Sequence, residues 1–465
     1  MDLVEDVRPA PPLIPPAPKV HARPLGGSAL GELRVAWEMG RNLVGTYCED
    51  DFDSLVTPYV FMGQPGLVVS DPAAARQILT SLNYLRPVKA RRPLRPLVGE
   101  GVLLSEGETW RRQRKSLAPV FTPAATGGLL PHFVAAGAGL TETLDGGSHA
   151  NLAQAFHHAT LDAVLRALFS RRADTEGALL AELVRRYMEG PAHFKLFDFM
   201  AKGADDLTFA DGDRRRLGAR WLAAVDALIA ERRAQPHADV LDMLDRLLAA
   251  RDEAGAPLAD QEIRDQCGSM LAAGFETTSR LLFWAAYLLA LDPAAQARVR
   301  AEVHAFPAER VTSLDDLKAW PLLRAVLFET PRLYPAAPMI ARQAQGADAV
   351  LGHEVVPGCM VTISPWLIHR HRKLWDAPTA FRPERFLDQP HPWGVEAFLP
   401  FGAGPRVCIG AGFALAEAQI ILASLLDRFQ LTMAGDRPVL PKASITLGPD
   451  HEPDFRLSPI VQARP

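Results

Sequence analysis

Residues 401–410, Phe401-Gly-Ala-Gly404-Pro-Arg406-Val-Cys408-Ile-Gly410, carry the strongest chemical signal in the chain. A cysteine that holds a metal and leaves one coordination side open needs its thiolate shielded from water and stabilised by donors. Glycines beside it let backbone N–H groups approach the sulfur, and a nearby cation balances an anionic cofactor. Gly402 and Gly404 permit a tight turn, Gly410 allows close backbone contact, and Arg406 is placed for a carboxylate. A helix that starts near Gly412 aims its positive end at the sulfur and lowers the thiol pKa.

Three other constellations could serve such a thiolate. Ala273-Gly274-Phe-Glu276-Thr277-Thr278 places small and polar residues in an otherwise apolar stretch. Thr277 falls four residues after Ala273, on the same helix face, and an acid beside a hydroxyl suits proton delivery. Taken alone, a threonine there simply bonds back to a helix carbonyl. Glu329 and Arg332 are three apart, so carboxylate and guanidinium can pair. Pro331 lies between them, and proline predicts that the helix kinks or ends there. Trp110 and Arg114, four apart in ETWRRQRKSL, share a face of a third helix.

The loop pattern F-x-x-G-x-R-x-C-x-G resembles the haem-binding loop of the cytochrome P450 family. Glu329-x-x-Arg332, Pro383-Glu-Arg385-Phe386 and the cysteine loop follow in that family's order, and the resemblance spans roughly Leu67 to Leu447. It implies haem b with Cys408 as iron ligand, thiolate donation favouring O–O cleavage. It implies a Glu329–Arg332–Arg385 network that locks the loop, and an Ala273/Gly274 groove for dioxygen. Glu276 and Thr277 would be the proton-delivering pair, with Thr278 a structural neighbour. Trp110, Arg114, Arg342 and Arg406 are candidates for the haem propionates, with His369 also fitting the pattern near them. Phe401 and Gly410 complete the cofactor-binding set.

The activity implied is monooxygenation: one atom of O2 enters an apolar C–H or C=C bond, by hydroxylation or epoxidation. Electrons must arrive from outside. The 57 residues after Cys408 are too few for a fused flavin reductase, which implies a separate ferredoxin or flavodoxin with its NAD(P)H-dependent reductase. Arg111, Arg112 and Lys115 read as solvated, or as part of a basic face that meets it. A peroxygenase or hydroperoxide isomerase would share the loop but often lacks the acid–alcohol pair. A haem-thiolate sensor would not need a proton relay. By resemblance the substrate pocket is lined by 84–105, Phe194–Met200, Ala272–Ala273, Ala336–Ile340 and Ser444–Leu447, largely apolar segments that suit a hydrophobic small molecule.

The elements that must position these residues are mostly helices. The strongest expectation is 260–291, about 48 Å long, capped by Asp260 with Glu262 and Asp265 near its start, and stopped at Asp292-Pro293. Helices are also expected from VAWEMGRNLVGTY and PAAARQIL and at 106–117, 151–169, 175–189, 213–233, 239–253, 321–333 and 412–428. Short β runs (LVVSDP, AVLG, EVVP, MVTISP) lie mainly in the C-terminal third. This predicts a mainly α, α+β protein with a large helical lobe and a smaller β-rich one. The haem would sit between the long helix and the cysteine loop. Residues 1–25, with Pro9, Pro11, Pro12, Pro15, Pro16, Pro18 and Pro24, read as an extended arm, a surface strap or a disordered tail, and 26–465 as a single catalytic domain.

Of 465 residues, 48% are hydrophobic and 22% charged, with a net charge of −4, which gives no reason to expect nucleic acid. Cys48, Cys267, Cys359 and Cys408 are scattered and form no C-x-x-C pair, which excludes a disulfide framework or zinc ribbon and suits a reducing compartment. Cys48 in an early helix, Cys267 in the long helix and Cys359 in a strand read as core fillers. The first ten residues carry acids where a secretory leader needs positive charge, and the Leu281–Leu291 run is too short to cross a bilayer. The expectation is a soluble, cytoplasmic monomer of a bacterial type, without a membrane anchor.

Overall fold

The computed structural model describes residues 12–18, 20, 29–61, 63–144, 149–175, 177–193, 198, 203, 211–236, 242–251, 255–387 and 396–460. Helices dominate, and the two lobes are those expected. A five-stranded sheet runs in the order Val56–Phe61, Gln64–Val69, Met360–Ile363, Ile340–Ala344, Tyr84–Leu85. Its first two strands form an antiparallel hairpin, and Gln64–Val69 then pairs parallel with Met360–Ile363. A second sheet joins His149–Ala150, Phe455–Pro459 and Phe429–Met433.

The long helix spans Asp260–Leu291 and is buried along most of its length. Asp260 is its first residue rather than its cap: Ala259 holds that position, and the Asp260 carboxylate instead accepts from Arg233 Nη1 at 2.8 Å. Asp292 closes the helix and caps the next one, Pro293–Ala305, by accepting from Ala295 N–H at 2.9 Å. The expected helices are found at Gly107–Leu117, Leu152–Phe169, Ala178–Glu189, Gly212–Ala234, Pro321–Leu333 and Ala411–Arg428. The 239–253 expectation shrinks to Met243–Ala249, with 239–241 and 252–254 outside the described residues. VAWEMGRNLVGTY divides: Ala29–Arg41 is helical, and Asn42 starts a separate 3-10 turn, Leu43–Thr46.

One helix, Pro123–Thr143, was hidden by its composition, with Pro131 and several glycines inside it. Smallness there serves packing: a Cβ on Gly137 would lie 2.5 Å from Ser424 Oγ of the helix after Cys408. The bland cysteines move slightly. Cys48 caps a 3-10 turn, Cys359 immediately precedes a strand, and Cys267 is a fully buried core residue as expected.

The proline-rich segment is a strap where it is described. Leu13 C=O accepts from Phe381 N–H at 2.8 Å, and Pro16 C=O accepts from Tyr334 Oη at 3.0 Å. Elsewhere, a buried quartet of Arg92, Asp198, Asp211 and Arg214 joins the 84–105 loop to the helix Gly212–Ala234. Leu399 and Ala403 of the cysteine loop belong to the smaller, sheet-side core, while Phe413 just beyond belongs to the large helical one. The loop is therefore held from both lobes.

Candidate active site

Backbone geometry shapes the cysteine loop first. Gly402 and Gly404 take φ of +74° and +70°, the left-handed region open to glycine. A Cβ on Gly404 would stand 2.8 Å from the Leu79 carbonyl oxygen, so the loop is pressed against the helix Pro72–Thr80. Cys408 N–H donates to Phe401 C=O at 3.0 Å, and Val407 N–H to Gly404 C=O at 3.0 Å. Gly410 caps the helix Ala411–Arg428, whose positive end therefore lies beside Cys408. The Cys408 side chain is accessible, yet burial pushes its thiol up, while the Gly410 N–H and the Arg114 guanidinium pull it down. A metal would tip that balance, because binding deprotonates a coordinating thiol.

Guanidinium groups gather beside the loop. Arg406 Nη2 donates to Ser105 C=O at 2.9 Å and pairs with Glu106, and its guanidinium lies 4.3 Å from the Trp110 ring centroid. Arg406 Nη1 is buried with no hydrogen-bond partner among the described residues. Burial, then Arg406 and Arg342, pull Arg86 down to about 9, and burial with Arg406 pulls Arg342 down to about 10. Burial also lowers Arg406, with Arg91 and Arg114 adding and Glu106 opposing. This is an excess of cationic donors over carboxylates, suited to an anionic ligand with two carboxylates. Among the described residues no three His, Cys, Asp or Glu side chains converge as a metal site. The Cys408 thiol beside these guanidinium groups fits haem, with Cys408 the residue that would hold its iron.

Behind the loop, Glu329 and Arg332 are both fully buried and paired through two bonds, Arg332 Nε and Nη2 donating at 2.7 and 2.8 Å. Arg385 Nε adds a contact at 3.2 Å, and Arg382 N–H donates to the same carboxylate at 2.8 Å. Arg332 also donates to the carbonyls of His369, Pro378 and Ala380. The helix runs on to Leu333 rather than ending at Pro331, although the proline removes one N–H from its last turn. His369 does not face the cations. Its Nδ1 meets Pro331 C=O at 3.1 Å and its Nε2 accepts Leu399 N–H at 2.8 Å, so both ring nitrogens are engaged. Burial lowers the His369 pKa to about 3, with the Pro331 bond opposing and Arg332 and Arg370 adding, so the ring is neutral.

On the long helix, Ala273 is exposed amid buried neighbours, whereas Gly274 is turned toward Val164, where a Cβ would lie 3.2 Å from Cγ2. Thr277 Oγ1 donates to Ala273 C=O at 2.8 Å, and Thr278 Oγ1 to Gly274 C=O at 3.0 Å. Glu276 is buried, accepts from Arg280 and Thr446 on Oε1, and has His157 Nε2 3.1 Å from Oε2. Burial pushes its carboxyl up, but His157, Arg280 and Thr446 outweigh it and bring it down to about 2.

The segments suggested for the pocket converge on this helix. Leu447 N–H donates to Ala336 C=O at 3.0 Å, Trp284 Nε1 to Leu447 C=O at 3.0 Å, and Glu100 N–H to Asp265 Oδ2 at 2.9 Å. Phe194–Met200 lies outside the described residues except Asp198. Sequence reasoning missed Arg86, Glu106 and His157. Arg86 sits in an irregular loop and His157 in an ordinary helix, so no spacing marks either; only tertiary contacts do.

A mainly helical protein with a smaller β lobe, an accessible thiol at a helix N-terminus and a cationic recess beside it defines a haem-thiolate architecture. The comparisons agree: the family model described as Cytochrome P450 matches residues 23–451, and this chain belongs to that family. A cytokinin hydroxylase of Arabidopsis thaliana is 30% identical, covering 85% of this chain and 80% of the relative. Putative cytochrome P450 132 of Mycobacterium bovis is 29% identical, covering 92% and 96%. The crystal structure of cytochrome P450DA heme domain superposes with a TM-score of 0.76 at 25% identity, covering 87% of this chain and 90% of that one. The chain is a cytochrome P450 monooxygenase. Its relatives come from plants, mammals and bacteria, so they do not bear out a specifically bacterial type. No helix among the described residues is long and apolar enough to cross a membrane.

Proposed function

We propose that this enzyme hydroxylates or epoxidises a hydrophobic small molecule, with electrons from a separate ferredoxin or flavodoxin and its NAD(P)H-dependent reductase. The observation that carries the reading is the pairing of the accessible Cys408 thiol with a recess whose buried Arg406 Nη1 lacks a partner among the described residues. Haem b bound through Cys408 would supply the activation of dioxygen. Arg406, Arg342, Arg86 and Arg114 would hold its propionates, with Trp110 keeping the Arg406 guanidinium in place. Phe401 and Gly410 frame the sulfur through the loop backbone, and Glu329, Arg332 and Arg385 keep that loop rigid.

Ala273 keeps side-chain bulk low where the long helix meets the cofactor, while Gly274 lets that helix close on Val164. Thr277 gives its hydroxyl proton when its bond to Ala273 C=O is released, and Glu276 supplies the proton behind it. Apolar lining from 84–105, Ala336–Ile340 and Ser444–Leu447 favours a substrate without a charged anchor. Exposed Arg111 and Lys115, on the helix that carries Trp110, suit an acidic electron donor. We take 26–465 as one catalytic domain of a cytoplasmic monomer.

The test is the absorption spectrum of the dithionite-reduced protein with carbon monoxide. A strongly red-shifted Soret band in the parent, lost in Cys408→Ser together with turnover, is the expected result. An unshifted band in the parent, or activity retained by the variant, overturns the ligand assignment.

A further inference from the structure

His157, on the helix Leu152–Phe169, places its Nε2 3.1 Å from Glu276 Oε2. We propose that His157 is the group that loads Glu276 with a proton, an inference that rests on the monooxygenase reading above. The Glu276 carboxylate has three partners, and they differ in what they can give. Arg280 Nε donates at 3.0 Å, but a guanidinium does not release its proton in a protein. Thr446 Oγ1 donates at 3.0 Å, and an alcohol is too weak an acid. Only an imidazole both holds and releases a proton near neutrality.

The placement of His157 is built in. Its ring stacks on Phe275, centroids 4.8 Å apart and planes 19° from parallel, which turns the ring edge toward the acid. One helical turn along, Thr160 Oγ1 donates to Phe275 C=O at 3.1 Å and fixes the register of the two helices. Val164 against Gly274 lets the helices approach closely. The His157 side chain keeps 15% of its surface accessible, against 7% for Glu276, so the imidazole is the better placed of the two to exchange with water.

The step balances simply. Bulk hydronium gives a proton to His157 Nδ1 as Nε2 gives its own to Glu276 Oε2; the carboxylate becomes a carboxylic acid, the imidazole ends as its Nδ1–H tautomer, and a water molecule is left. Neutral Glu276 loses its charge attraction to Arg280 and turns toward Thr277. The other charged groups acting on this pair are His193, coupled to Glu276 through space, and Lys442, which acts on His193 along with Arg280.

His157→Gln keeps a donor toward Oε2 but cannot relay a proton, whereas His157→Phe removes both properties. Thermal midpoints and reduced carbon monoxide spectra come first. Absence of the shifted band in the parent would refute the monooxygenase reading, separately from this proposal. NADPH oxidation and peroxide release are then followed against pH in air-saturated buffer with a plant-type ferredoxin and its reductase. Both variants are expected to lose about tenfold in rate and to change the pH profile. Infrared difference spectra of the resting protein near pH 5 give a readout without turnover. His157→Phe should bring up a protonated-carboxyl carbonyl stretch that Glu276→Gln abolishes. If His157→Gln keeps the parent rate and pH profile, His157 only positions Glu276 and the relay is wrong.

Discussion

His369 Nε2 accepts the Leu399 N–H at 2.8 Å, which couples the Glu329–Arg332 helix to the strand of chain that leads into the cysteine loop. Because its folded pKa is depressed to about 3, the unfolded chain binds the extra proton between that value and the ordinary histidine pKa of about 6.5. The stabilisation is complete above about pH 6.5 and is lost as pH falls toward 3, by up to about 1.4 kcal/mol per pH unit. Denaturant unfolding at several pH values should show a slope that decreases in His369→Asn.

Glu329→Gln leaves the buried Arg332 guanidinium without its counter-charge, while Arg332→Ala leaves the carboxylate with Arg385 alone as a charged partner. Each should cost about 3–5 kcal/mol, the range for breaking one half of a buried pair. The expected result is protein that expresses poorly and takes up little haem, measured by the ratio of haem to protein absorbance.

Thr277→Ala removes a hydroxyl whose bond within the structure is to its own helix. Stability should change by no more than about 1 kcal/mol. If the hydroxyl delivers protons, NAD(P)H consumption should nevertheless release peroxide in place of product. Unchanged coupling would assign Thr277 to the helix backbone alone.

Arg406→Leu deletes a guanidinium that stacks on Trp110 and whose buried Nη1 has no partner among the described residues. Loss of charge-assisted bonds worth about 1.5–3 kcal/mol predicts haem binding weakened roughly 10- to 150-fold. Transfer of haem to apomyoglobin measures this, and the reduced carbon monoxide band of the remaining holoprotein should stay red-shifted because Cys408 is untouched.

Where function demanded particular residues at fixed spacing, the chain was readable. The glycines of 402 and 404, the Glu329–Arg332 pair and the long helix are local patterns with local causes. What escaped was set by neighbours distant in sequence. Nothing near Asp260 says that Arg233 will take its carboxylate, leaving Ala259 to cap the helix. His369 has the right residue type in the right motif, but Pro331 and Leu399 use both of its nitrogens. Pro123–Thr143 reads as a poor helix former until the Ser424 face that needs Gly137 is in view.

The parallel pairing of Gln64–Val69 with Met360–Ile363 also governs how the protein is made. The first strand leaves the ribosome about 290 residues before its partner, an interval of roughly 15–60 s at ordinary elongation rates. During that time the hairpin Val56–Val69 has a bare inner edge, with Leu67 and Val69 unburied. Aggregation during synthesis should therefore depend on translation speed and chaperone supply more than on the stability of the finished enzyme. Substitutions that quieten that edge should raise yield without altering turnover.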